Sequence, residues 1–282
     1  MRKISAILIM AIVSTMVFTS AARSDYLMRQ RVYKAKKNVV RILVNDRPAG
    51  TGFPVGGGII ATNFHVVQQI SEVEGQTQVG YASDIKVQLF NGRVLTAQPY
   101  SSSKGIHLQK AIGNDVALLT IPGQFPNPFQ LGYFSKVQEG DEVYLIGYPL
   151  SVKQPIITKG MLSTKFKIDG YLGQGGSRSV AWLDINMNKG ISGGPVLMLS
   201  GHRALDDRVI GIANFNLNLF AQSAEKFAKV TAKFPGDVML MDIDIKKFSM
   251  LIDEALTSQS HGIGGCIAID HIYPSEQTLE KH

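Results

Sequence analysis

Asp184-Ile-Asn-Met-Asn-Lys-Gly-Ile-Ser-Gly-Gly-Pro-Val196 is the stretch on which the reading of this chain turns. At its centre, Gly190-Ile191-Ser192-Gly193-Gly194-Pro195 sets one hydroxyl among glycines. No side chain on either side blocks an approaching substrate. Glycine also permits the positive φ angles that aim several backbone N–H groups at one point. A nucleophilic serine in acyl transfer needs that arrangement, an exposed hydroxyl beside a preformed anion pocket. The string alone is only moderately specific, because glycine and serine also populate ordinary turns. The remainder of the chain decides between the two.

Outward from that stretch the pattern is one of short strands. Apolar or alternating runs separated by glycine and polar turns are read at residues 39–44, 51–55, 59–62, 85–89 and 94–96. Further runs follow at 116–121, 142–146, 156–162, 180–185, 195–199 and 209–215. Asn91-Gly92 between two alternating runs is a strong short hairpin signal. One long helical pattern is present, at 245–256, with Phe248, Leu251, Ile252 and Ala255 on one stripe and Asp244 as its cap. Many short strands and one late helix predict an all-β chain of closed or nearly closed barrels. Residues 98–114 and 163–179 read as long loops.

Composition narrows the function. The 282 residues carry a formal net charge of +7 and a single cysteine, Cys266. An intramolecular disulfide is therefore impossible, and a chain this long can bury one large core or two smaller ones without it. Gly-Gly-Cys-Ile-Ala-Ile around Cys266 reads as packing rather than catalysis. Met1-Arg2-Lys3, an uncharged apolar run over 4–18 and Ser20-Ala21-Ala22 together describe a secretory signal peptide. Arg23, Arg29, Arg31, Lys34, Lys36, Lys37 and Arg41 crowd the region after the cut, which by itself opposes export. Cleavage and export to a bacterial periplasm or medium is the reading adopted, with no stable membrane span afterwards; an uncleaved anchor is its alternative. Only Tyr26 and Tyr33 interleave the basic segment, so it describes a solvated face and not a nucleic-acid site. His107, His202, His261, His271 and His282 show no zinc-ligand spacing, so neither a metal nor another cofactor is expected.

Two more stretches bear on Ser192. Ala61-Thr-Asn-Phe-His65-Val-Val67 ends an apolar strand in a histidine, and Asn114-Asp115-Val-Ala-Leu-Leu-Thr120 opens one with an aspartate. Either residue alone is more often structural: a lone strand-end histidine, a turn-forming acid. Their order is what raises them, His65, then Asp115, then Ser192. A buried carboxylate orients an imidazole, the imidazole removes the serine proton, and chymotrypsin-type enzymes carry the groups in this order.

The sequence resembles a trypsin-like serine protease and is most similar to the exported bacterial HtrA-type proteases. The resemblance runs over residues 39–256. It rests on Thr-Gly-Phe (51–53), Thr-Asn-Phe-His-Val-Val (62–67), Asn-Gly-Arg (91–93) and Asp-Val-Ala-Leu-Leu (115–119). It continues in Gly-Asp-Glu-Val-Tyr-Leu-Ile-Gly-Tyr-Pro (140–149), Lys-Gly-Met-Leu-Ser (159–163), Gly-Ile-Ser-Gly-Gly-Pro (190–195) and Val-Ile-Gly-Ile (209–212).

The resemblance implies two six-stranded β-barrels, with His65 and Asp115 in the first and Ser192 in the second. It implies an oxyanion hole from the N–H groups of Gly190 and Ser192. It places Asn186 at the base of the primary specificity pocket, and Asn214, Phe215 and Asn216 along its wall and substrate-pairing edge. Ile191 departs from the family, which has asparagine or aspartate there; isoleucine cannot pair with a freshly cut amino terminus. The family continues into a PDZ domain, and the residues after Leu256 are too few for one. The divisions expected are a signal peptide (1–22), a basic arm (23–38), a first barrel (39–135), a second (136–243), a helix (244–257) and a tail (258–282). The function expected is an exported endopeptidase acting on extended polypeptides. Its alternative is a protease-fold peptide-binding or regulatory protein with little turnover.

Overall fold

The computed structural model describes residues 29–73, 75–100, 108–125, 127–173, 176–198, 208–216, 229, 231, 233, 239–240, 243–257 and 264–272. The signal segment, Arg23 and Tyr26 lie outside these. Residues 29–37 belong to a separate amino-terminal unit and are helical, with the Lys37 ammonium 4.4 Å from the centre of the Tyr33 ring.

Residues 38–282 form the second unit, whose strands close into two antiparallel barrels. The first uses β1 (Val40–Val44), β2 (Arg47–Gly56), β3 (Ile59–Thr62), β6 (Ile85–Gln88), β7 (Val94–Pro99) and β8 (Ala117–Thr120). Its strands run in the order β1-β2-β3-β8-β7-β6, and β6 closes on β1. The second uses β9 (Glu142–Gly147), β10 (Ile156–Asp169), β11 (Ser177–Leu183), β12 (Pro195–Met198), β13 (Val209–Asn216) and β16 (Gly264–Ala268), in the order β10-β11-β16-β13-β12-β9. Two small hairpins lie outside the barrels: β4 (Gln68–Val73) with β5 (Gln76–Tyr81), and β14 (Met239–Leu240) with β15 (Ile243–Asp244). Three α-helices are described in this unit: α1 (Phe64–Val67), α2 (Leu108–Asn114) and α3 (Ile245–Thr257).

The strand pleat explains the core. On β6, Ile85 and Val87 are buried while Lys86 and Gln88 face outward, the period of two expected of a sheet with one wet face. Val40, Ile42, Phe53 and Leu119 join them inside the first barrel, and Val143, Leu145, Leu162, Leu183 and Val196 fill the second. Burying such side chains is the main favourable term, about 1.5–3 kcal/mol for each large one.

Four readings from the sequence are corrected. Residues 163–179 are not a long loop: β10 and β11 pair as far as Asp169 and Ser177, making an extended hairpin. Its polar, glycine-containing composition hides the pairing because both faces are partly wet. Residues 98–114 end in α2 rather than a loop. The residues assigned to a tail supply β16, which sits between β11 and β13 and completes the second barrel. Of the apolar stripe on α3, Phe248 and Leu251 are 45% and 64% exposed. Its cap is as expected, since Asp244 Oδ1 accepts from the N–H groups of Lys246 (3.0 Å) and Lys247 (3.2 Å). Those bonds hold the Asp244 carboxyl below its ordinary value.

Cys266 is fully buried on β16, and burial pushes its thiol up to about 12. Only the thiolate reacts with alkylating reagents. Native protein should therefore resist iodoacetamide at pH 8, and protein in guanidinium chloride should take one equivalent, read by mass spectrometry. Rapid modification of the native chain would contradict the burial of β16.

Candidate active site

His65 lies on α1, the short helical turn following β3, rather than at the end of the strand itself. Asp115 follows α2 with φ +54°, in the left-handed region that aspartate tolerates better than most residues. Its N–H bonds to the Ile112 carbonyl at 2.9 Å, and its own carbonyl accepts from Asn63 Nδ2 at 2.9 Å. The turn aims the carboxylate at α1.

That carboxylate is 1% exposed, and it takes both ends of the histidine. Oδ1 accepts the His65 backbone N–H at 2.8 Å, and Oδ2 lies 2.8 Å from His65 Nδ1. An ionised carboxylate only accepts, so Nδ1 carries a proton and Nε2 is the basic nitrogen of the neutral ring. Asn214 Nδ2, from β13 of the second barrel, donates to the same Oδ2. Arg178 Nη1, on β11, stands 3.7 Å from Oδ2 and donates to the Asn114 carbonyl at 3.4 Å. Burial lowers the Arg178 pKa from its ordinary value, with the Asp115 charge opposing the shift.

Ser192 sits on the turn between β11 and β12. Its hydroxyl donates to the Asn214 carbonyl at 3.2 Å, and no hydrogen bond among the described residues joins it to His65. Catalytic contacts are often loose before substrate arrives. The turn itself is fully pinned. The Lys189 carbonyl accepts from Leu150 N–H at 2.9 Å, and that of Ile191 from Gly194 N–H at 2.9 Å. The carbonyls of Gly190 and Ser192 both go to Thr51, at 2.7 Å and 2.8 Å. Because a trans peptide sets N–H and C=O on opposite sides, fixing Lys189 toward Leu150 turns the Gly190 N–H the other way. Among the described hydrogen bonds, the N–H groups of Gly190 and Ser192 have no acceptor. Gly190 has φ +96°, and a Cβ there would lie 2.5 Å from the Tyr148 carbonyl oxygen, so only glycine fits.

Ile191 packs inward. It is 1% exposed within the core of the second barrel, where an acidic side chain would have no place without a partner. Asn186, expected at a pocket base, is exposed instead. The next residue, Met187, is the one that turns in: it is 5% exposed and touches Gly264, where a Cβ would meet its Cγ and Cε at 2.6 Å. Phe215 and Asn216 lie on β13 opposite Gly265 and Gly264, and their side chains lie outside the described residues.

Beside the histidine is a cleft of about 610 Å³, lined by His65, Gln68, Asp115, Phe166, Ile168, Tyr171, Arg178, Trp182 and Asn214. Phe166 and Trp182 stack at 5.5 Å, and the Tyr171 ring stands 6.3 Å from that of His65. Gln68 Nε2 donates to the Tyr171 hydroxyl at 3.1 Å, tying the tip of the β10–β11 hairpin to the β4–β5 hairpin. Among the described residues no group of three or more His, Cys, Asp or Glu could hold a metal ion.

The sequence reading passed over Thr51, Met187 and Arg178. Thr51 lay inside a quoted motif with no role attached. A methionine and an arginine carry no signal of their own until the fold turns them inward.

A profile of the trypsin-like peptidase domain matches residues 50–212. The chain is similar to a putative protease Do-like 14 of Arabidopsis thaliana, 32% identical over 147 residues, which is 51% of this chain and 31% of that protein. It is 29% identical over 180 residues to a probable periplasmic serine endoprotease DegP-like of Rickettsia conorii, covering 58% and 28% respectively. Against serine protease HTRA3 of Mus musculus the identity is 29% over 192 residues, 66% of this chain and 37% of that one. The chain thus spans about a third of the length of these curated relatives. Two solved structures share the fold. HtrA-type protease AlgW with a tripeptide gives a TM-score of 0.55 at 21% identity, covering 89% of this chain and 63% of that one. The active form of the Rv3671c protease from M. tuberculosis gives 0.53 at 17%, covering 86% and 80%. A match that runs from the strand bearing Thr51 to the strand beyond Ser192, across both barrels, makes this chain a member of the trypsin-like peptidase domain family.

Proposed function

We propose that this chain is an exported serine endopeptidase that cleaves extended or unfolded polypeptides through an acyl-enzyme. The observation that carries the reading is the buried Asp115 carboxylate holding both the backbone and Nδ1 of His65. Ser192 Oγ attacks the scissile carbonyl carbon while His65 Nε2 takes the hydroxyl proton. The carbonyl oxygen becomes an oxyanion facing the N–H groups of Gly190 and Ser192. Collapse expels the amine, which takes the proton from Nε2. Water, deprotonated by the same nitrogen, then releases the acid and restores the hydroxyl. Each oxyanion donor contributes about 3 kcal/mol to such a step.

An extended substrate has an edge to join. β12 pairs with β13 only as far as Ile212, and the turn after Ser192 bonds to Ala213. From Asn214 to Asn216 that side of β13 has no strand partner among the described residues, which suits a peptide added as a further strand. Met187 supports a shallow primary pocket that takes small or medium uncharged side chains. The apolar run at residues 4–18 supports export.

Ser192→Ala and His65→Ala should each lower kcat on casein by about 10⁶-fold with thermal unfolding nearly unchanged, and Asp115→Ala by about 10⁴-fold with a lowered Tm, because Arg178 and the His65 N–H lose their buried acceptor. A fluorophosphonate probe should label the wild type and not Ser192→Ala. Wild-type protein that folds but neither labels nor cuts would favour the binding-module alternative.

Cut sites mapped in unfolded casein should follow alanine, valine, leucine or threonine. Met187→Ala should admit phenylalanine, raising its kcat/KM relative to alanine by at least about tenfold, since even one methylene is worth that in an apolar pocket. Cleavage chiefly after lysine or arginine, in either protein, would remove Met187 from the specificity site.

A further inference from the structure

Thr51 is wholly buried on β2 of the first barrel, yet its partners are in the turn that carries the nucleophile. Its N–H donates to the Ser192 carbonyl at 2.8 Å. Its hydroxyl donates to the Gly190 carbonyl at 2.7 Å and accepts the Tyr148 N–H at 2.8 Å. Its own carbonyl accepts the Thr62 hydroxyl at 2.6 Å. The direction of the second bond is forced: Tyr148 can only donate, so the single hydroxyl proton of Thr51 goes to Gly190.

We infer that the Thr51 hydroxyl is a positioning group of the oxyanion hole, holding from the first barrel the peptide plane that follows Gly190 and so joins the planes of the two donor N–H groups. The inference rests on the protease reading above. Of the four carbonyls from Lys189 to Ser192, two are held within the second barrel and two by Thr51. Gly190 is the residue in that run whose backbone is least restrained by its own sterics, so the planes on either side of it need external anchors. Leu150 anchors the plane before Gly190; the plane after it is held at its carbonyl by the Thr51 hydroxyl and at its Ile191 N–H by the Asn188 carbonyl at 3.2 Å. Space is left for the contact. A Cβ on Gly193 would lie 2.0 Å from the Thr51 carbonyl oxygen, and one on Gly147 would lie 3.1 Å from its Oγ1. Removing the hydroxyl leaves the Gly190 carbonyl and Tyr148 N–H buried without their partner, and the plane keeps only the longer Ile191–Asn188 bond, 3.2 Å, to hold its angle. Thr51 touches no substrate; it acts through Gly190.

The test uses Thr51→Val, which keeps the shape and loses the hydroxyl, beside Thr51→Ser, which keeps it. The backbone bond from residue 51 to the Ser192 carbonyl survives both changes, so the comparison isolates the hydroxyl. On fluorescein-labelled casein, Thr51→Val should lower kcat by about 10- to 100-fold, short of the loss of a donor itself, with KM within twofold. Affinity for a peptidyl boronic acid ending in a valine analogue should fall by the same factor, because the boronate oxygen occupies the hole. Thr51→Ser should stay within threefold of wild type in both. Folded Thr51→Val with wild-type kcat overturns the inference, as does equal impairment of the Ser variant. Should Thr51→Val fail to fold, Thr51→Ala serves in its place with the same expected losses; failure of both to fold makes the role structural and overturns it. Wild type that neither labels with fluorophosphonate nor cuts casein removes the protease reading and this inference together. Labelled, active wild type with an unimpaired Val variant removes this inference alone.

Discussion

A carboxylate sealed from water at Asp115 sets the terms for everything around it. Left without partners, such a charge would cost several kcal/mol or would be protonated. Its partners come from different parts of the chain: His65 from α1 and Asn214 from β13 as donors, and the Arg178 charge from β11. Two of the three belong to the second barrel. The carboxylate is therefore satisfied only when the two barrels have closed on one another, and the histidine is oriented only when the carboxylate is satisfied. Folding and assembly of the site are one event.

The seam between the barrels is polar on both sides of His65. Toward Ser192 it is a set of backbone hydrogen bonds organised by Thr51. On the other side it is the Arg178 guanidinium against Asp115 and the Tyr171 ring, 5.8 Å from its centre. The apolar anchor belongs to the second barrel alone, where Ile191 fills the core under the Ser192 turn. The turn is held there by apolar packing, with no carboxylate at that position.

How much of this the sequence carried depended on the range of each contact. The strands of the first barrel were legible because Ile85, Val87 and the runs before and after them alternate with polar residues, and alternation is a local property. So was the helix cap at Asp244. The three residues expected at the centre were legible from their setting: glycines around Ser192, an apolar strand before His65, another after Asp115. What stayed hidden depends on distant partners. Nothing near Met187 says that its side chain will lie on Gly264, and nothing near Asn186 says that it will face solvent. Gly264–Ala268 read as a tail because two glycines and a cysteine make a poor strand signal; only its neighbours, β11 and β13, make it one.

The position of that last strand has a bearing on synthesis. Chains emerge from the ribosome amino terminus first, and domains fold as their pieces become available. The first barrel is complete once Thr120 is out, but β13 and β11 wait for a strand encoded more than 45 residues after β13 ends. Until then the wall opposite Met187 is open, and the platform that presents Asn214 to Asp115 lacks its neighbour. A nascent chain can carry the serine, the histidine and the aspartate and still have no built centre. Late delivery of one five-residue strand thus acts as a timer, leaving the second barrel unclosed until Ala268 has been made.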